Sequence, residues 1–237
     1  MATILITRPQ EDATSLFQAL LARGHTPLSE PMLTIIWRDA PPLPDWDTLR
    51  IQSLLFTSAN GVRALTRRTS RRDLPVFAVG PATAAEAEAS GFAPIVTAGG
   101  DVTALVAQVA ALCRPANGPL FHAAGSVTAG DLSGQLNALG FNVLREVLYE
   151  SRPATALSST TSEFLINGAL DAVTLFSPRT ARSLCALIVS AGLQNACRRI
   201  TAYCLSQAVA DAACNCPWLD CKVPPYPNQE SLLDILK

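Results

Sequence analysis

Leu55-Phe56-Thr57-Ser58-Ala59-Asn60-Gly61-Val62-Arg63-Ala64-Leu65 has a second version 119 residues later, Thr174-Leu175-Phe176-Ser177-Pro178-Arg179-Thr180-Ala181-Arg182-Ser183-Leu184. Each runs from a short apolar strand through a hydroxyl-bearing turn into the start of a helix. Other pairs follow in the same order. Ile4-Leu5-Ile6-Thr7 precedes a polar turn and a helix with Leu16, Leu20 and Leu21 on one face, which Gly24 stops. Leu120-Phe121-His122 precedes a small-residue loop and a helix carrying Leu132 and Leu136, which Gly140 stops before a strand beginning at Val143-Leu144. A shift of 116 carries Leu20 onto Leu136, Gly24 onto Gly140, Leu28 onto Leu144 and Glu30 onto Glu146. Residues 76–84, a strand with a Gly-Pro turn and an Ala-rich helix, pair with 202–210. Ile95-Val96 and the helix after Asp101 pair with Cys221-Lys222-Val223 and the helix after Asn228.

Short apolar strands alternating with helices of ten or more residues call for an α/β fold with parallel sheets covered on both faces. Right-handed crossovers put every strand-to-helix loop on one edge of its sheet. Ligands of such sheets bind there, where helix amino termini present unpaired N–H groups. The loops to watch are therefore 7–11, 57–61, 80–83, 124–128, 177–180 and 206–208. Residues 33–38 and 146–151 fit no such unit; each reads as a strand leaving a lobe for a connector, and a paired two-strand hinge is expected. Sequence order alone invites a cut into 1–115 and 116–237.

Composition narrows the function classes. Of 237 residues 49% are apolar and 16% charged, enough for a core and too apolar for disorder. Eighteen basic and nineteen acidic residues nearly cancel, so no overall field holds nucleic acid or an anionic membrane. The amino terminus lacks the pattern of a secretory leader, and no apolar run reaches the 18 or more residues of a membrane span. Seven cysteines cannot all pair, which fits reduced thiols in a cytoplasmic protein.

Motifs for cofactors are missing. Gly24 opens no G-x-G-x-x-G, Gly99-Gly100-Asp101 lacks a phosphate-loop lysine, and two histidines do not make a histidine metal site. Cys204, Cys214, Cys216 and Cys221 lack zinc-knuckle spacing, and Cys204 and Cys221 read as strand residues facing a core. His122, within an apolar strand, reads as a packed histidine rather than a base. No cofactor and no metal is expected. What remains is hydroxyls, backbone N–H groups and a few arginines: Thr57, Ser58, Thr83, Ser177, Thr180 and Ser206 fall at strand ends or helix starts. Capping accounts for hydroxyls at such places. It accounts less well for Ser58 and Ser177 holding matching positions beside Asn60 and Arg179.

In the strings Ile6-Thr7-Arg8-Pro9, Phe56-Thr57-Ser58-Ala59-Asn60-Gly61-Val62, Val79-Gly80-Pro81-Ala82-Thr83-Ala84, Val147-Leu148-Tyr149 and Phe176-Ser177-Pro178-Arg179, the chain resembles the uroporphyrinogen-III synthase family over essentially its whole length. The resemblance implies two similar parallel-sheet α/β lobes (HemD-like) joined by a two-stranded linker, with an internal duplication. It implies a discontinuous first domain, 1–35 with 155–237, and an inserted second, 40–147, with connecting strands at 33–40 and 146–155. Ser58 and Ser177 would then line opposite walls of one cleft. The implied reaction is cyclisation of hydroxymethylbilane, a linear tetrapyrrole with eight carboxylates, to uroporphyrinogen III. Water leaves, and ring D is inverted through a spiro intermediate. Because the bilane also closes unaided, the implied task is to hold one conformer.

Carried over by motif, the implied substrate-binding residues are Arg8, Thr57, Ser58, Asn60, Gly61, Gly80, Thr83, Ser177, Arg179, Thr180 and Ser206. Tyr149 matches the candidate general acid for hydroxyl loss. The chain departs from the family at Ser206-Gln207-Ala208-Val209, where a Gly-Pro-x-Thr turn is common and Val209 brings no hydroxyl. The expected partner is the small-molecule polycarboxylate, with no nucleic acid and no membrane, and the family expectation is a monomer. Two other readings remain: a two-lobed ligand-binding or sensor module for an anionic small molecule, and an unrelated α/β transferase.

Overall fold

The computed structural model describes residues 1–39, 41–127 and 130–236. In chain order come β1 (Thr3–Ile6), α1 (Gln10–Ala22), β2 (Thr26–Ser29), β3 (Leu33–Trp37), α2 (Trp46–Leu49), β4 (Ser53–Phe56) and α3 (Ala59–Arg68). Next are β5 (Val76–Ala78), α4 (Pro81–Ala89), β6 (Ile95–Thr97), α5 (Val102–Leu112), β7 (Leu120–Gly125), α6 (Leu132–Ala138) and β8 (Val143–Pro153). Last are α7 (Ser159–Ile166), β9 (Ala172–Leu175), α8 (Pro178–Ser190), β10 (Thr201–Cys204), α9 (Gln207–Ala212), β11 (Asp220–Lys222) and α10 (Gln229–Asp234). The helix starts follow local chemistry. Side chains of Ser58, Asp101, Asp131, Ser158, Ser177 and Asn228 each accept an N–H from the first turn of the helix they precede. Gly24 and Gly140, at φ of 79° and 85°, end α1 and α6 in the left-handed region that glycine enters without strain.

The chain divides into two compact units, Met1–Thr34 with Arg152–Lys237, and Ile35–Ser151. A cut at mid-chain would separate β7 and β8 from β4, the sheet neighbour of β7. The first unit holds a five-stranded sheet in the order β11-β10-β9-β1-β2, with every neighbouring pair parallel. The second holds the order β3-β8-β7-β4-β5-β6, parallel from β8 to β6. Apart from β3 the two orders are the same, with β1, β2, β9, β10 and β11 matching β7, β8, β4, β5 and β6. In the first unit Ala154 N–H donates to the Met32 carbonyl at 3.0 Å; in the second Arg38 N–H donates to the Leu148 carbonyl at 2.8 Å.

Strand alternation splits each core in two. Ile4 and Ile6 pack with Leu16, Leu20, Leu232 and Leu233 on the α1 and α10 face; Leu5 packs with Leu184, Ile188 and Val209 on the other. In the second unit Leu55 packs with Leu105, Leu132 and Leu136, while Leu54 and Phe56 pack with Val62, Leu65 and Ala87. Each large side chain so buried contributes roughly 1.5–3 kcal/mol, which is why such short strands suffice to organise each layer.

Several local expectations change. Leu21 is 47% exposed, because the stripe of α1 that reaches the sheet is Ala13, Leu16 and Leu20. Cys221 lies exposed on edge strand β11 rather than facing a core, while Cys204 on β10 is buried. The segments at 143–144 and 146–151 are one continuous strand, β8, bent by a bulge. Of the small-residue loop at 124–128, Thr128 lies outside the described residues. Among the described residues no helix is long and apolar enough to cross a membrane, and no group of three potential ligands could hold a metal.

Candidate functional site

Where strand order reverses, adjacent loops diverge and open a crevice at the carboxyl ends of the strands. In the second unit this point lies between β4 and β7, because the chain runs β4, β5, β6 outward and then returns to the other side of β4. After Phe56 the chain passes Thr57 and enters α3 at Ser58, whose extended backbone (φ −161°) lets its Oγ accept the Gly61 N–H at 3.2 Å. Gly61 is glycine for a steric reason: a Cβ there would stand 2.6 Å from the Ala123 carbonyl oxygen of β7. Its N–H is taken by the cap, so Gly61 serves the site through close packing.

Tyr149 reaches the same point from β8. Register runs Ala124 to Val147 and then Gly125 to Tyr149, so Leu148 is the extra residue of a bulge. The bulge lays the Tyr149 ring over Gly125, where a Cβ would meet Cζ at 2.6 Å and Oη at 2.8 Å. The phenol ends 2.7 Å from Ser58 Oγ. Burial pushes the phenol pKa above its usual value, and the Ser58 bond opposes that shift. The group is therefore a protonated phenol at neutral pH.

Around this pair, Asn60 Oδ1 accepts from Arg63 Nη1 at 3.1 Å, and Arg63 Nη2 pairs with Glu86 at 2.7 Å. Thr57 Oγ1 lies 3.2 Å from His122 Nε2. At the next loop, buried Gly80 precedes α4 with no side chain to cap it and Pro81 at its first position. Thr83 in that first turn is buried. A helix start left uncapped offers its N–H groups to an anion.

In the first unit the reversal lies between β1 and β9. Thr7 Oγ1 donates to the Thr174 carbonyl at 2.8 Å, which ties the two strands just below the edge. Arg8 stacks its guanidinium 4.5 Å over the Phe176 ring and donates to Gln229 Oε1 at 3.3 Å. Ser177 caps α8, accepting the Thr180 N–H at 3.1 Å, and its Oγ lies 2.8 Å from the Thr180 hydroxyl, to which it donates. The two predicted binding hydroxyls thus bond to each other. Arg179 is exposed at the start of α8. Ser206 precedes α9 but makes no side-chain cap.

The structure therefore gathers Thr57, Ser58, Asn60, Gly61 and Tyr149 around one strand end, and Arg8, Ser177, Arg179 and Thr180 at the edge of the other sheet. It adds His122, whose place within an apolar strand indicates packing but whose Nε2 meets Thr57. It also adds Glu30, which is buried and accepts from Ser158 N–H at 3.0 Å and from the Ser158 and Thr161 hydroxyls, each at 2.5 Å. Glu30 holds the start of α7 rather than a ligand. All seven cysteines are free thiols, and burial leads in pushing Cys204 up to about 12, so it is inert as a nucleophile.

No curated protein matches the chain. The solved uroporphyrinogen-III synthetase of Helicobacter pylori 26695 aligns at 15% identity and a TM-score of 0.62, covering 99% of this chain and 98% of that one. A mutant uroporphyrinogen III synthase of the extremely thermophilic bacterium Thermus thermophilus aligns at 16% identity and a TM-score of 0.56, covering 99% and 95%. At such identities the likeness is one of fold. A family model described as uroporphyrinogen-III synthase HemD matches residues 15–234. With nearly the whole chain matched and the fold shared, the chain belongs to the uroporphyrinogen-III synthase family, lyases of porphyrin biosynthesis that act on a small tetrapyrrole.

Proposed function

We propose that the chain closes hydroxymethylbilane to uroporphyrinogen III, releasing water and inverting ring D through a spiro intermediate. The observation that carries this reading is the Gly61–Ser58–Tyr149 arrangement at the β4/β7 reversal. Ser58 has one proton and two lone pairs; it accepts the Gly61 N–H and can still donate to Tyr149 Oη. In that polarity the Tyr149 proton is left for an outside oxygen. Donated to the terminal hydroxyl of the bilane, it lets the C–O bond break and water depart, leaving an azafulvene on ring A. The substituted carbon of ring D attacks that carbon to give the spiro intermediate, which fragments and recloses with ring D turned over. The proton released as ring D rearomatises restores the phenol, so the sum is bilane to cyclised product plus water.

Carboxylate binding is assigned to groups at the sheet edges: Arg8, Arg179, the Thr57 hydroxyl, the Asn60 amide and the uncapped N–H groups opening α4. Ser177 and Thr180 support this by shaping the start of α8. Ser206, without a cap bond, keeps its hydroxyl for a ligand. Many moderate contacts suit a reaction whose difficulty is conformer choice. The same reading has the protein acting as a monomer in a reducing cytoplasm, in keeping with seven unpaired thiols.

The test is to supply freshly made hydroxymethylbilane and resolve the product isomers. Type III isomer above the unassisted background is the expected result. Type I alone, with the bilane still bound, would replace this reading with that of a binding module.

A further inference from the structure

We propose that His122 is a positioning residue: it donates its Nε2 proton to the Thr57 hydroxyl, so that Thr57 presents its own proton at the sheet edge as a fixed donor to a substrate carboxylate. The inference rests on the reaction assigned above and names one determinant of its binding.

All six residues of β7 are buried, and His122, at 1% exposure, is the one among them with a titratable side chain. Burying an imidazole where an apolar side chain would fit carries a free-energy cost unless it makes a hydrogen bond. The internal duplication shows that the fold itself does not need it. Shifted by 116, His122 falls on Ile6; shifted by 119, Thr57 falls on Phe176. The registers agree, since His122 pairs with Leu55 across β7 and β4 while Ile6 pairs with Thr174 across β1 and β9. In the first unit Ile6 and Phe176 belong to one apolar cluster. The second unit replaces that apolar pair with a hydrogen-bonded one, 3.2 Å from Nε2 to Oγ1.

Which atom donates follows from the other ring nitrogen. His122 Nδ1 is buried with no partner among the described residues. A proton on Nδ1 would strand a buried N–H, whereas a proton on Nε2 strands only a lone pair, the rarer and costlier fault being the orphaned donor. Arg145 stands opposite His122 in the β7–β8 register, with its guanidinium on the Gly125 carbonyl at 2.7 Å. A cation there disfavours a second proton on the ring. Burial first, and Arg145 second, lower the imidazole to about 4, so it is neutral in use. Thr57 Oγ1, receiving the Nε2 proton, has its own hydrogen free, beside the Ser58–Tyr149 pair.

Histidine-labelled protein, observed by two-bond nitrogen–proton correlation and assigned with His25→Gln, reports the tautomer directly. Protonated Nε2 with bare Nδ1 is expected; protonated Nδ1 overturns the inference. In kinetics, His122→Phe and Thr57→Val should each raise KM for hydroxymethylbilane about ten-fold with kcat little changed. The double variant should do no worse than Thr57→Val, and His122→Gln, which restores a donor, should recover most of the loss. Fully additive single effects would sink the coupling. Should His122→Phe fail to fold, the glutamine variant and the spectrum of the unaltered protein decide. A chain that forms no type III isomer at all fails the assigned reaction, while the tautomer is still judged by its own signal.

Discussion

Tyr149 Oη stands 2.7 Å from Ser58 Oγ across 91 positions of sequence, and the bulge at Leu148 is what brings them together. A straight β8 would move Tyr149 to the other face of the strand, since one residue of register reverses every side chain. Tyr149→Phe should therefore keep the fold and bilane binding while lowering type III turnover by about ten-fold or more. Pre-steady-state binding and turnover on the same preparation check it; unchanged turnover would leave the phenol a packing group.

Gly125→Ala tests the same relationship from beneath. Its Cβ would lie 2.6 Å from Tyr149 Cζ, so the ring must tilt away from Ser58. Overpacking of this kind costs about 1–3 kcal/mol. Turnover should fall to the level of Tyr149→Phe, and the double variant should be no slower than either single one.

Ser58→Ala removes a helix cap and the phenol's partner together. A lost cap costs about 1 kcal/mol, measurable by urea denaturation. Because the Ser58 bond lowers the Tyr149 pKa, its removal should move the phenol's titration upward, followed by tyrosinate absorbance.

His122 links stability to pH. Its value falls from 6.5 unfolded to about 4 folded, so between those limits the unfolded chain holds the extra proton. The contribution is complete above pH 6.5 and is lost as pH drops toward 4, to a total of about 3 kcal/mol. Denaturation at about pH 7 and about pH 4.5 should show this loss in the native chain, and His122→Phe should show correspondingly less of it.

Glu30→Gln should destabilise the first unit. The carboxylate accepts three donors from Ser158 and Thr161, and an amide turns an N–H2 toward at least one of them. The expected cost is about 1–3 kcal/mol by calorimetry. In the native protein a thiol reagent should meanwhile label Cys214 and Cys221 fast and the five buried cysteines slowly.

The two eleven-residue turns at 55–65 and 174–184 were legible because their signals are local. Apolar alternation, a hydroxyl before a helix and a glycine after one each act within a turn or two. The duplication at offsets of 116 and 119 then foretold two like α/β sheets, and apart from β3 both have the same strand order. Less visible was which hydroxyl does what. Ser177 caps α8 and gives its proton to Thr180, whose hydroxyl keeps its own, whereas Ser58 caps a helix and meets Tyr149 as well. Leu21 and Cys221 went astray because periodicity and strand membership do not say how wide a buried stripe is or which strand is an edge.

The sequence by itself determined the alternation of strands and helices in the repeated units, the repeat and the family, all of which depend on residue type and short spacing. Tertiary structure alone decided which strands are neighbours, and so that β7 lies beside β4 rather than beside β6, which it follows in the chain. It decided the partners of Ser58, Thr57 and Glu30, found 91, 65 and 128 positions away. The reason is physical: hydrogen bonds are settled within a few tenths of an ångström and by direction, whereas an apolar pattern asks only to be buried.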